Sequence, residues 1–295
     1  MKFSFFKSMK VTFIISTLLI CFSLYSINKS GFNYGIEFQG GTEMVLSFNS
    51  ETKIEKIRSD FYTAGFPNVT IQNYGSETNN EFLLRIPIKN DIKNMQILDY
   101  KKNLTNVLDE NFSANSYSIK RIDFIGPKVG KELVKNGIYS IIFGSIAILI
   151  YVFFRFSFSF AIAAVFALFH DFILTSLLVN ILNIEITLTT IAAILTVIGY
   201  SVNDTIVIFD RVRENLKILN LPLNQIIETS IVQTLSRTIL TVMTVLIVLV
   251  PLYFLGGVEI EDFALIMILG VGIGTYSSIL YAPYIMYFLN KRRSR

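Results

Sequence analysis

The sequence predicts a polytopic α-helical membrane protein with six transmembrane helices and one folded α+β domain inserted between the first two. Three observations carry this reading. Apolar residues make up 52% of the 295 residues and charged ones only 16%, too apolar a balance for an ordinary soluble domain. Six apolar runs are each long enough to cross about 30 Å of hydrocarbon. Between the first two runs, residues 28–136 change to a mixed-charge composition with soluble-type periodicities.

The first run, 11–27, follows Lys2, Lys7 and Lys10 in the basic segment 1–10. No A-x-A-like cleavage site follows it, and Ile20 precedes Cys21 where a lipoprotein signal needs a small residue, so an uncleaved first helix is expected. One cysteine and one histidine make neither an internal disulfide nor a structural metal site. The net charge of +4 does not point to nucleic acid, because the basic residues outside the long loop sit at the ends of apolar runs.

Within 28–136, Thr42–Phe48 alternates as a half-buried strand. Ser50 is placed to cap a helix with the stripe Ile54, Ile57 and Phe61, ended by Gly65 and Pro67. Val69–Tyr74 and Glu81–Ile86 read as strands around the polar turn 75–80. A helix follows over 91–110 with Met95, Leu98, Leu104, Val107 and Leu108 apolar, then a strand at Tyr117–Phe124. The order βαββαβ is the ferredoxin-like unit, two helices over one face of a four-stranded antiparallel sheet.

Residues 137–289 hold the other five spans: 137–154 ending at Arg155, 156–182, 184–209, 231–255 and 263–289. The connection 210–225 carries Arg211, Arg213 and Lys217, the loop 256–262 has acids and no base, and the tail 290–295 is basic. This positive-inside pattern places both termini in the cytoplasm and the folded domain outside.

Few charges remain deep in the spans: Asp171 beside His170, Asp204 and Arg237. An ionisable group at that depth costs roughly 3 kcal/mol on insertion scales, so it calls for a function and a partner. Asp204 shares a helical arc with Thr189, Thr190, Thr196, Tyr200 and Ser201, with Asn203 at its edge. In the fifth run Ser230, Thr234, Arg237, Thr241 and Thr244 form one polar seam. Asp204 and Arg237 each lie roughly 9 Å from the cytoplasmic boundary of their helix, at matched depth for an ion pair. Movement of Arg237 would then change proton affinity at Asp204, while a fixed pair would set helix register only. His170 and Asp171 either join that pathway or bond between helices. Gly270 and Gly274 read as a close-packing surface.

The motifs resemble the SecF family, the smaller membrane subunits of the SecD–SecF complex of the bacterial protein-export translocase, in the resistance-nodulation-division superfamily. The resemblance rests on Gly35-Ile36-Glu37-Phe38-Gln39-Gly40-Gly41-Thr42, His170-Asp171, Ile198–Val207, Ser236-Arg237-Thr238, Phe254–Gly257 and Gly274–Ile279. Glu37 stands where the family usually has Asp. The resemblance implies a periplasmic folded domain with a signature at Gly35, Glu37, Gly40 and Gly41. It also implies a proton-linked pathway through Asp204 and Arg237, and SecD as the second half of a twelve-helix unit in the inner membrane. The implied partners are SecD, the Sec translocon channel with its accessory membrane subunits, and unfolded preprotein. No cofactor and no catalytic residue are expected; the coupling ion is expected to be a proton, with sodium the alternative. An intramembrane aspartyl protease using Asp171 and Asp204 is the enzymatic alternative, disfavoured by the missing Gly-x-Gly-Asp element and by an adjacent arginine. A small-molecule exporter of the same superfamily would carry twelve helices in one chain, which the length opposes.

Overall fold

The structure, a computed structural model, describes residues 5–74, 80–87, 97–112 and 116–291. The expected turn residues 75–79, the start of the second loop-domain helix with Met95, and the charges Lys2, Arg292, Arg293 and Arg295 lie outside the described residues. The chain divides into two compact units, one of spanning helices and one covering Tyr34–Ile138.

In the second unit a short helix α2 (Ile36–Gln39) leads into β1 (Gly41–Phe48). Helix α3 (Ile54–Thr63), β2 (Thr70–Asn73), β3 (Glu81–Pro87), α4 (Ile97–Asn111) and β4 (Tyr117–Ile125) follow. The sheet is antiparallel in the order β2-β3-β1-β4, so the first and third strands are central, as the βαββαβ order requires. Register sets Met44 opposite Leu84 and Leu46 opposite Phe82, and these four join Ile57 and Phe61 of α3 and Leu104 and Leu108 of α4 in one buried core. The period-2 alternation of β1 sends Glu43 to the other face, where it pairs with Arg85 and Arg121, each at 2.9 Å. Ser50 does not cap α3. The N-cap is Lys53, without a side-chain cap bond, and the Ser50 carbonyl instead accepts from Thr52 at 3.0 Å, a turn that holds Ser50 away from the helix start.

The six spans are α1 (Phe5–Ser30), α5 (Pro127–Arg155), α6 (Phe158–Ile181), α7 (Leu188–Ile218), α8 (Leu223–Leu255), and α9 (Val258–Tyr276) running through a π turn (Ser277–Tyr281) into α10 (Ala282–Lys291). All six are long and apolar enough to cross a membrane. Helices outrun the apolar runs at polar ends: α5 begins at Pro127, ahead of 137, and α7 continues to Ile218, taking up Arg211, Arg213 and Lys217 that were expected in a loop. Hydrocarbon thickness limits the apolar part of a helix, not the helix itself. At its other end α7 starts after Thr187, whose Oγ1 accepts from the Thr190 N–H at 3.1 Å, an ordinary N-cap.

Helices α6 and α7 are the most enclosed spans, while α1, α5 and α8 are open along most of their length. Small residues make this possible: Ala161, Ala163, Ala164 and Ala167 of α6 are all buried, so neighbouring backbones approach closely.

Candidate functional site

The polar arc of α7 is split by its neighbours. Ser201, Asp204 and Thr205 are buried, Asp204 to 7% exposure, whereas Thr196, Tyr200 and Asn203 lie open on the outside of the helix. Arg237 on α8 is also exposed. Arg237 is the charged group whose field reaches Asp204, yet among the described residues no ion pair within 4.0 Å joins them. The pair is open in this structure, the carboxylate enclosed and the guanidinium on the outer face.

The seam on α8 satisfies its hydroxyls within its own helix. Thr234 donates to the Ser230 carbonyl at 3.0 Å, Thr241 to the Arg237 carbonyl at 2.9 Å and Thr244 to the Thr241 carbonyl at 2.7 Å. Polar contacts between α7 and α8 gather at the other end, where Arg211 donates to Gln233 at 2.6 Å and Asn215 donates to Ser230 at 2.8 Å and Gln233 at 2.9 Å. Nearby, Arg155 at the end of α5 pairs with Asp210.

His170 and Asp171 form a separate, fully buried centre. His170 Nδ1 lies 2.7 Å from Asp171 Oδ1, and Ser201 of α7 donates to Asp171 Oδ2. The Tyr276 hydroxyl sits 2.8 Å from His170 Nε2 and 3.4 Å from Ser16 Oγ of α1. The Tyr281 ring stacks on the imidazole with centroids 4.3 Å apart. With Asp171 as the carboxylate, which only accepts, Nδ1–H donates to Asp171 and Nε2 accepts from the tyrosine O–H. Asp171 is thus bonded between helices. Sequence reasoning puts Ser201 on the arc of Asp204 and Tyr276 within the motif Gly274–Ile279, but pairs neither with the His170-Asp171 centre; Tyr281 and Ser16 carry no sequence signal beyond hydroxyls in apolar runs.

Gly270 and Gly274 of α9 meet α7 closely. A Cβ at Gly274 would lie 2.7 Å from Ser201 Cβ, and one at Gly270 would collide with the Val197 side chain. In the second unit Gly35 caps α2, which carries half-buried Glu37. Gly40 has φ +79°, and a Cβ on Gly41 would lie 2.5 Å from the Ile86 carbonyl oxygen. These glycines let the chain turn sharply and press β1 against β3. Among the described residues no cluster of three His, Cys, Asp or Glu is placed to hold a metal.

Six helices long and apolar enough to cross a membrane, with a ferredoxin-like insertion and an enclosed carboxylate and an outward-facing cation on two of the spans, define a polytopic α-helical membrane protein. The family model described as "Protein export membrane protein SecD/SecF, C-terminal" matches residues 104–292, and the "SecD/SecF GG Motif" matches residues 25–51. The chain belongs to the SecD/SecF family. It is 40% identical over 290 residues to the protein translocase subunit SecF of Haemophilus influenzae, covering 98% of this chain and 86% of that protein. It is 40% identical to that of Vibrio alginolyticus over 283 residues, covering 94% and 87%. The crystal structure of SecDF from Thermus thermophilus, a translocon-associated membrane protein, superposes with TM-score 0.82 at 33% identity. That match covers 99% of this chain, which spans only 39% of the SecDF chain. SecDF in its super-membrane-facing form fits at 0.72.

Proposed function

We propose that this chain is a SecF-type accessory subunit of the Sec translocase, which with a SecD-like partner uses the proton motive force to promote late steps of preprotein translocation across the inner membrane. The observation that carries the reading is the position of Arg237, Tyr200 and Asn203 on the outside of the bundle beside buried Asp204. Polar groups facing lipid are unsatisfied, so this face calls for a second protein of matching polarity. The SecDF relative is more than twice as long as this chain, so it holds further chain of its own beyond the matched part.

Asp204 is the ion-exchange group and Arg237 its gate: an open pair closes or separates as the partner moves, and the carboxylate binds or releases its ion accordingly. Each charge crossing the potential supplies about 2.3 kcal/mol per 100 mV, enough to bias helix positions. Relatives take more than one arrangement, since the two SecDF forms fit this chain at 0.82 and 0.72. Both termini are cytoplasmic and the ferredoxin-like unit is periplasmic, supported by Lys7, Lys10, Arg155, Arg211, Arg213 and Lys217 at one end of the spans and Glu259, Glu261 and Asp262 at the other. The protease reading has no support: Asp171 bonds to His170 and Ser201, and among the described residues no hydrogen bond joins it to Asp204.

Asp204→Asn and Arg237→Met are expected to leave the protein inserted and bound to its SecD-like partner while abolishing its stimulation of preprotein export. Normal stimulation by Asp204→Asn as the sole copy would end the reading. Export supported by a sodium gradient alone, and lost with Asp204→Asn, would assign sodium in place of the proton.

A further inference from the structure

The buried centre around His170 is built from four parts of the bundle. Ser16 comes from α1, His170 and Asp171 from α6, Ser201 from α7 and Tyr276 from the end of α9, and side-chain hydrogen bonds run through all of them. With Asp171 as the carboxylate the chain runs in one direction, Ser16 to Tyr276 to His170 to Asp171, with Ser201 donating from the far side. Every donor in it meets an acceptor.

Two features show that the backbone is shaped to hold it. A π turn begins directly after Tyr276 and ends at Tyr281. In a regular α-helix residues five apart differ in direction by about 140°, but a turn closed by i→i+5 bonds brings them back toward one face. Here both tyrosines reach the same imidazole, Tyr276 through its hydroxyl at 2.8 Å and Tyr281 by stacking at 4.3 Å. Second, the glycine positions 270 and 274 seat α9 directly on Val197 and Ser201. Helix α7 is therefore held at Ser201 from both sides, by the Asp171 carboxylate and by the glycine surface. Asp204 follows three residues later, about 4.5 Å along the axis.

We propose that Ser16, Tyr276, His170, Asp171 and Ser201 form one hydrogen-bonded latch that fixes α7 between α1, α6 and α9 and so sets the position of Asp204. His170 and Asp171 are positioning residues in this scheme, not the site of ion exchange. Release at any link frees α7 to shift relative to α6, and the environment of Asp204 changes with it. The latch rests on the coupling role proposed for Asp204 only for its purpose; its geometry stands independently.

The test uses the full chain in membranes with its SecD-like partner, treated with dicyclohexylcarbodiimide, an apolar reagent that modifies protonated carboxyl groups in the bilayer. Peptides containing Asp204 and Asp171 are quantified separately by mass spectrometry. Tyr276→Phe keeps the ring and removes only the hydroxyl; Ser201→Ala removes the opposite link. Each is expected to change the modification rate at Asp204 by at least about threefold, and the double variant by no more than either alone, because residues acting as one unit are non-additive. Thr175→Ala, which removes a buried hydroxyl one turn from Asp171 without touching the chain of bonds, is expected to leave the rate unchanged. Unchanged reactivity at Asp204 in both single variants, or a double variant equal to the product of the singles, would overturn the proposal. If Ser201→Ala does not fold, Ser16→Ala at the α1 end takes its place with the same expectation. Labelling needs no export, so failure of Asp204→Asn to affect export would leave this result standing.

Discussion

Replacing Gly274 with alanine puts a methyl carbon 2.7 Å from Ser201 Cβ, 3.2 Å from Ser201 Oγ and 3.3 Å from its Cα. Comfortable carbon contacts begin near 3.5 Å, so α9 and α7 must separate by roughly 0.8 Å. Overpacking of this kind costs about 1–3 kcal/mol. Gly270→Ala would bring its Cβ to 2.4 Å from Val197 Cγ2, one turn away on the same face, and so calls for a separation of the same pair of helices, roughly 1.1 Å. The two costs are therefore not additive, and the double variant should lose about as much as either single one. Gly272 is the internal control, because nothing lies within 4 Å of its added Cβ. Gly272→Ala gains about 1 kcal/mol of helix propensity without a clash and should be neutral or stabilising. Denaturation of the purified chain in detergent, followed by circular dichroism, reads all four proteins; a 2 kcal/mol loss multiplies the unfolded fraction up to about 30-fold. Equal stability of Gly274→Ala and Gly272→Ala would refute the close approach of α7 and α9.

Two further outcomes concern the Tyr34–Ile138 unit. A fragment spanning it should unfold cooperatively in urea, and Leu84→Ala, at a fully buried central-strand position, should cost it about 2–5 kcal/mol; a non-cooperative transition would contradict an independent core. Burial, then its hydrogen bond to Asp109 and that carboxylate's charge, push the Tyr117 phenol from 10.0 up to about 12. A folded-state value above the unfolded one favours the protonated phenol, so this contribution is complete below pH 10 and is lost as pH rises through about 12. Tyr117→Phe should flatten the fall in stability across that window; an unchanged slope would locate it elsewhere.

The spans and the sheet were legible because each rests on a local rule: apolar length for the helices, period-2 alternation in Thr42–Phe48 for the central strand. Helix ends were less legible. Arg211, Arg213 and Lys217 looked like a loop because they are polar, but a helix leaving the hydrocarbon continues as long as its backbone bonds are made. Within the site, helical geometry put Asp204, Ser201, Tyr200 and Asn203 on one arc, yet which of them is covered depends on where α6 and α9 pack. That placement rests on residues distant in sequence, such as Gly274. The partnership of Asp171 with Ser201 and of His170 with Tyr276 is tertiary in the same sense. The π turn that lets Tyr276 and Tyr281 share one imidazole has no compositional mark in Ser277–Tyr281.

The most direct test of coupling at Asp204 is preprotein export into inner-membrane vesicles, measured with and without an uncoupler, for the native chain and for Asp204→Asn in the same partner background. Coupling predicts that the native chain's stimulation disappears when the proton motive force is collapsed, while Asp204→Asn vesicles export at the same low rate in both conditions. Stimulation by Asp204→Asn that still responds to the uncoupler would contradict it.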